Sequence, residues 1–325
     1  MLNAMHLQHF KSFRDTVIPE FRKVNLILGR QNVGKTSLLE AIAFASNYRT
    51  NNLPHDLYRL LPLMFRPGEG HDGERFWKYL LGTSSKPIGT NVILTFAKQL
   101  FFAGTGLTAK GGSTGVSTEF GEIKVNFGTA GDNPADLQNR CGSFQPFPFF
   151  TKSAAAQVQL YGEMVVLKRK KEVLEMLKRI DPRLESLDAV APDNEHRIYA
   201  ELNDGKVLTL SQLGHGFTRL FELYAGLVVS DSKLALIDEI ENGIHYSALS
   251  TVFQGLRNIS EAQDVQSIIT THSLEAIEAA CEVFKDKPED FQLVRLERTN
   301  DNNIRAVAIA DESLKIVMAS GWEMR

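Results

Sequence analysis

The chain has 325 residues, 43% hydrophobic and 23% charged, enough to bury a large core in one elaborated α/β domain or two ordinary ones. Its formal net charge of -3 argues against coating nucleic acid by bulk charge alone. Cys141 and Cys281 form no CxxC or Cys/His cluster, and no signal peptide or apolar run of the roughly 18 residues that span a bilayer is present, so a soluble protein of a reducing, cytoplasmic compartment is expected.

Residues 4–28 read as three short strands, the first ending in His9-Phe10-Lys11-Ser12-Phe13 and the third being the buried run Val24–Leu28. A helix follows from Lys35, with Leu38, Leu39, Ile42 and Ala45 on one face. Over residues 50–150 the pattern loosens: Asn91–Phe96 reads as a strand, while Gly104–Gly115 and Gly128–Ala135 read as loops of an inserted lobe. A helix is predicted over Lys171–Ile180, stopped by Asp181-Pro182. Next comes a hairpin, Ile198–Leu202 and Val207–Leu210, turned by Asn203-Asp204-Gly205.

An amphipathic helix then turns Phe217, Leu220, Phe221, Tyr224, Leu227 and Val228 inward, ahead of the strand Leu234–Ile237. A further helix carries Leu249, Val252, Phe253 and Leu256, and a buried strand runs over Ser267–Thr271. The tail reads as a hairpin, Leu293–Leu296 with Ile304–Ile309, and a last short helix. Strands alternating with helices imply a mostly parallel sheet covered on both faces. The expected division is residues 1–50 and 161–325 as two parts of one domain, with residues 51–160 as the inserted lobe.

Gly29-Arg30-Gln31-Asn32-Val33-Gly34-Lys35-Thr36 fits G-x-x-x-x-G-K-[ST], between a buried strand and a helix. In that context the glycines let successive N–H groups turn toward phosphate oxygens, Lys35 reaches the β/γ-phosphates and the Thr36 hydroxyl ligates Mg²⁺. Asn32 and Ser37 belong to the same phosphate-binding set.

Leu234–Ile237 ends in two acids: Asp238 can hold the Mg²⁺ shell, and Glu239 can polarise the attacking water. His272 closes another core strand, where it can meet a γ-phosphate or simply stand at a strand end. Ser211, Gly214 and Gly216 precede the amphipathic helix. They suit either an ordinary capped helix start or a second phosphate-binding helix N-terminus that serves the nucleotide of another subunit. Lys168-Arg169-Lys170-Lys171 could grip a phosphodiester backbone or be a solvated charge run.

The order of P-loop, Gly/Ser signature helix, acidic strand and strand-end histidine resembles ABC-type ATPases. LQHFKSFRD and ILGRQNVGKTSLLEAI are similar to the SMC, RecF and OLD branch. RIDPRLESL, LGHGFTRLFEL, LIDEIENGIHYSAL and the ending SGWEMR resemble the small AAA-type ATPases of prokaryotic abortive-infection and anti-phage systems. This resemblance implies an ABC-ATPase head that dimerises around two ATP molecules with Mg²⁺. Glu239 would be the catalytic base, His272 the switch histidine, and Glu241–His245 a D-loop at the dimer seam. Lys11 and Phe13 match the motif that flanks the nucleotide in this branch.

Two departures stand out: the serine of Leu-Ser-Gly-Gly is displaced or replaced by Gly214, and no glutamine stands out as that of a Q-loop, Gln99 and Gln157 being guesses at it. There is no heptad run for coiled-coil arms, and no segment for the nuclease domain appended in OLD proteins, so a separate effector, a nuclease or toxin, is expected. The leading expectation is an ATPase whose ATP-dependent dimerisation regulates that effector. A RecF-like DNA-clamping factor and a slow-turnover ATP-bound scaffold are the alternatives.

Overall fold

The computed structural model describes residues 2–47, 91–96, 99–104, 113–118, 121–127, 144–147, 152–192, 195–230 and 232–310. β1 (Leu2–Phe10) and β2 (Phe13–Ile18) form an antiparallel hairpin with Phe10 opposite Phe13. The free edge of β1 takes β4 (Asn91–Phe96). β5 (Gln99–Gly104), β6 (Ser113–Thr118) and β7 (Gly121–Phe127) extend this antiparallel sheet in the order β2-β1-β4-β5-β7-β6. The loop expected over Gly104–Gly115 is corrected at both ends, because Gly104 closes β5 and Ser113 opens β6. Ladder pairing with β7 supplies there the backbone hydrogen bonds that a Gly/Ser/Thr-rich composition suggests would go to water. Gly128–Ala135, Cys141 and the expected last helix lie outside the described residues.

The second six-stranded sheet carries the chemistry. Its order is β15 (Ile304–Ile309), β14 (Phe291–Arg298), β3 (Val24–Leu28), β13 (Gln266–Thr270), β12 (Leu234–Ile237) and β8 (Phe144–Phe147). All neighbours are parallel except β15 with β14. Strands β3, β12 and β13 are buried along their whole length. Their alternate residues serve two cores, as a period of two requires.

Val24, Leu26, Ala235, Ile237 and Ile269 join the core that holds α4 (His215–Val229), α5 (Leu249–Gln263) and α6 (Leu274–Val283). Ile27, Leu234, Leu236 and Ile268 join the core shared by α1 (Lys35–Asn47) and the β1–β2 hairpin. Among the described residues no helix is long and apolar enough to cross a membrane.

Besides β5, β6, β7 and β8, two elements escaped the sequence reading. α2 (Ala154–Val166), capped by Ser153, runs across residue 160 and buries Leu160 and Met164 in the core of α4; Gly162 and weak amphipathicity hide it. β9 (Leu184–Val190) joins β10 (Arg197–Leu202) and β11 (Val207–Thr209) in a small antiparallel sheet. Its buried Leu184 and Leu187 are three apart, a spacing that does not read as a strand. α3 (Lys170–Lys178) lies where a helix was predicted.

Candidate nucleotide site

Parallel pairing brings the C-terminal ends of β3, β13 and β12 side by side, the place where open α/β sheets bind ligands. The loop after β3 turns on three positive-φ residues: Gly29 at 143°, Asn32 at 58° and Gly34 at 106°. A Cβ on Gly29 would sit 2.6 Å from the Leu296 carbonyl oxygen of β14, so the loop is seated directly on that strand. Asn32 is among the few residue types that tolerate a left-handed backbone without glycine.

Beneath the loop, a Cβ on Gly34 would lie 3.2 Å from both the Phe13 ring and Ile304. Phe13 is wholly buried and faces the loop from the protein side, so its contact is with the loop's backbone. Lys11 forms an ion pair with the fully buried Glu40 of α1, pinning the β1–β2 turn to the P-loop helix. Burial lowers the pKa of this lysine, against the attraction of Glu40.

Lys35 is buried, and its ammonium donates to the carbonyls of Gly29 (2.7 Å) and Arg30 (3.1 Å) and to His272 Nδ1 (3.1 Å). Burial pulls its pKa down to about 8, opposed by Glu241, Asp238 and Glu239. With Lys35 charged, Nδ1 of His272 is the acceptor, which leaves the ring proton on Nε2, 3.9 Å from Glu239 Oε1. The Thr36 hydroxyl donates to Asp238, at 3.2 and 3.1 Å from its two oxygens. Ser37 follows on the first turn of α1.

Asp238 is buried at 3% exposure, and desolvation raises its pKa against the hydrogen bonds from Thr270 and Thr36. Glu239 has a left-handed backbone, φ 47°, and its pKa is raised first by desolvation and then by the Asp238 charge. A carboxylate pushed upward is a better proton acceptor near neutral pH.

Thr36 and Asp238 together offer hard oxygen donors. Among the described residues no group of three or more His, Cys, Asp or Glu could hold a metal by itself. The pair therefore fits a cation that draws its remaining ligands from phosphate and water, the habit of Mg²⁺.

Two residues of this site escaped the sequence reading. The Thr270 hydroxyl donates to Asp238 at 2.6 Å and accepts from the Glu239 N–H at 2.8 Å, fixing the two acids relative to each other. Arg219 comes up from α4, 6% exposed, and donates to the carbonyls of Glu239 (2.7 Å), Asn242 (3.0 Å) and Asp238. Desolvation lowers its pKa, and the surrounding carboxylates oppose that. The signal was charge, Arg219 with Glu222 three residues on, inside a helix that is otherwise mostly apolar. Glu241 accepts from the Thr271 hydroxyl (2.7 Å) and the His272 N–H (2.6 Å), tying the segment after the acids to the end of β13.

Ser211, Gly214 and Gly216, expected as the signature, lie at the start of α4. Gly214 is the N-cap at φ 103°, with no side-chain cap and open space where a Cβ would point. Gly216 is different: a Cβ there would fall 1.9 Å from the Gly243 carbonyl oxygen of the same chain. Its lack of a side chain is thus required in cis, by packing on the segment 241–244. Ser211 is exposed and its hydroxyl pairs with Thr209 at 3.0 Å within the turn.

Gln157 donates to Glu222 (2.8 Å) and to the Lys152 carbonyl (3.2 Å), and Gln99 opens β5. The basic run is partly spent internally. Arg169 is bound to Glu172 and the Val228 carbonyl, and Lys170 to Asp188, which leaves Lys168 and Lys171 as its exposed charges.

Fold and site together define a P-loop protein with the architecture of an ABC-type ATPase head. Residues 145–278, which hold the acids and His272, match the family model described as "AAA domain, putative AbiEii toxin, Type IV TA system". Residues 4–61, which hold the P-loop, match one described as "AAA domain". A protein of Helicobacter pylori named ATP/GTP phosphatase is 22% identical over 335 residues, covering 88% of this chain and 89% of its own length.

Among solved structures, an SMC head bound to the C-terminal winged-helix domain of ScpA superposes with a TM-score of 0.63 at 13% identity, covering 97% of this chain and 99% of that one. The SMC head of Thermotoga maritima gives 0.54 at 15% identity, covering 94% and 98%. A Pyrococcus furiosus SMC head with an extended coiled coil, bound to the C-terminal domain of ScpA, gives 0.58 at 10% identity, covering 99% of each.

Proposed function

We propose that the protein binds and hydrolyses ATP with Mg²⁺. The observation that carries this reading is the meeting of Lys35 and Thr36 with Asp238, Glu239 and His272 at the ends of three adjacent parallel strands. Nucleotide phosphates take the place of the loop carbonyls as partners of Lys35, and the loop amides around Asn32, Gly34 and Ser37 receive the remaining oxygens. Thr36 and Asp238 would hold Mg²⁺, which would supply neutralisation of phosphate charge. Glu239 orients the attacking water and accepts its proton while the γ-phosphoryl leaves ADP. His272 hydrogen-bonds the γ-phosphate side of the site. The ATP/GTP phosphatase name of the Helicobacter pylori relative supports the same reaction class.

In this reading the site is completed by a second copy of the chain. The open, uncapped start of α4 at Gly214 meets the partner's nucleotide, so ATP drives dimerisation. Dimer closure regulates or holds a separate effector, a nuclease or toxin, in cytoplasmic anti-phage defence. The toxin and toxin–antitoxin wording of the matched family model supports that role. The 51–160 segment is read as a lobe that faces the partner.

Two substitutions test the chemistry. Lys35→Ala is expected to abolish ATP binding, and Glu239→Gln to keep it while turnover falls by about 10²- to 10⁴-fold, the worth of a positioned base. Unchanged affinity in the first, or parental phosphate release in the second, would sink the assignment. Co-purification of the Glu239→Gln protein from its native host, before and after phage challenge, tests the effector.

A further inference from the structure

Between the P-loop and β14 lies a groove of about 520 Å³ whose lining includes neither Lys35 nor Asp238. One wall is the loop backbone Gly29–Val33, and the other is the end of β14, Arg295–Arg298. Its rim is made of arginines. Arg30 and Arg298 are both exposed, and neither has a carboxylate partner among the described residues. Arg298 donates to the Asn32 carbonyl at 3.4 Å. Among the described residues of the lining, the one acid, Glu297, is already shared between Arg295 and Arg305.

Three guanidiniums, Arg30, Arg295 and Arg298, thus line the groove against one carboxylate among the described residues, in a chain where Asp and Glu (39) outnumber Lys and Arg (36). A local excess of that sign against the global balance is not what a randomly solvated surface shows. Arginine, with its planar fork of donors, is the side chain suited to bidentate phosphate contact, whereas surface solubility is served equally by lysine.

We propose that this groove is a second phosphate site, taking a phosphate group of a ligand other than the nucleotide held by the P-loop. Arg30 and Arg298 grip that phosphate from the two walls, and Arg295, fixed by Glu297, supplies background charge. The phosphate can belong to the backbone of a single-stranded nucleic acid or to a free polyphosphate, and the groove's chemistry is the same for both. The P-loop backbone is the shared wall: Gly29 and Asn32 of the lining belong to the nucleotide's phosphate-binding set, whereas the two gripping arginines do not.

The test uses the full chain saturated with ADP–Mg²⁺, so that the P-loop is filled. It is titrated with a fluorescent twelve-residue oligothymidylate and, separately, with radiolabelled tripolyphosphate. At least one probe is expected to bind, more weakly as salt rises. Arg298→Ser and Arg30→Ser each weaken it by about tenfold or more, the scale of one charge-assisted phosphate contact. Arg298→Lys, which keeps the charge and loses the fork, falls between, and Lys168→Ser leaves binding unchanged.

Binding of oligothymidylate alone assigns the groove to nucleic-acid strands, and binding of tripolyphosphate alone assigns it to free polyphosphate. Binding of neither probe, or full binding by both arginine variants, overturns the proposal. Repeating the oligothymidylate arm without ADP keeps this outcome separate from any failure of the ATP assignment. Both arginines are exposed, so the variants retain the fold, which a parental thermal melt verifies.

Discussion

Arg219 offers the sharpest way to ask whether α4 holds the catalytic acids in place. The substitution Arg219→Met keeps the apolar stem and removes the guanidinium, leaving the carbonyls of Asp238, Glu239 and Asn242 without this donor. Each buried acceptor left unsatisfied costs about 1–3 kcal/mol, part of which is returned because a desolvated cation is no longer buried. A net loss of about 3 kcal/mol follows, which a domain stable by about 5–15 kcal/mol survives. At about 2–4 °C per kcal/mol for a chain of this size, the melting temperature should fall by roughly 10 °C.

The catalytic effect should be larger in proportion. Glu239 sits at φ 47°, a conformation its own backbone does not favour, and Arg219 is one of the groups that hold it there. Misplacing a catalytic group by about 1 Å costs about 10²-fold in rate. We therefore expect kcat to drop by about 10²-fold with KM for ATP nearly unchanged, since the P-loop is untouched. Arg219→Lys, which can reach one or two carbonyls, should lie between. Urea melts and phosphate-release kinetics read both quantities. Parental stability and kcat in Arg219→Met, or loss of nucleotide binding instead of turnover, would refute the reasoning.

Two further outcomes follow from the same geometry. Lys35 in the free protein loses its proton near pH 8, while the nucleotide complex needs it charged. Below pH 8 binding takes up no proton, and above it uptake is required. ATP affinity should therefore be level to about pH 8 and then fall by up to about tenfold per unit, until the raised pKa of the complex is reached. Fluorescent-nucleotide titrations from pH 7 to 9.5 test this, and a flat profile contradicts it. For composite-site complementation, Gly216 is an unsuitable position, because a side chain there strikes Gly243 of its own chain; Gly216→Ala should cost about 1–3 kcal/mol by overpacking. Gly214→Glu projects into open space instead, at a backbone cost of about 1–2 kcal/mol. Mixed with Lys35→Ala, it should regain part of the turnover that each lacks alone; no recovery despite hetero-association means that Gly214 does not act across an interface.

What was legible in the sequence was local. The P-loop, the buried strands before Lys35 and Asp238, and the amphipathic α4 each depend on residue types within a few positions of one another, where backbone rules and hydrophobic period operate. The two families of alternating residues in β3 and β12 also follow from a period of two. α2 was hidden because Gly162 and weak amphipathicity blur its period, and β9 because its buried leucines are three apart.

The tertiary structure alone decided the partnerships. Arg219 reads as a surface charge until α4 is laid beneath the ends of β12 and its neighbours. Lys170 reads as a free cation until β9 brings Asp188 to it. Gly216 reads as a flexible signature residue until the 241–244 segment closes on it. Thr36 and Asp238 are 202 residues apart and meet at 3.1 Å because parallel order places β13 alone between their strands. Backbone conformation answers to neighbours in the chain, whereas the pairing of a buried charge answers to whatever the fold sets across from it, and no local pattern encodes that distance.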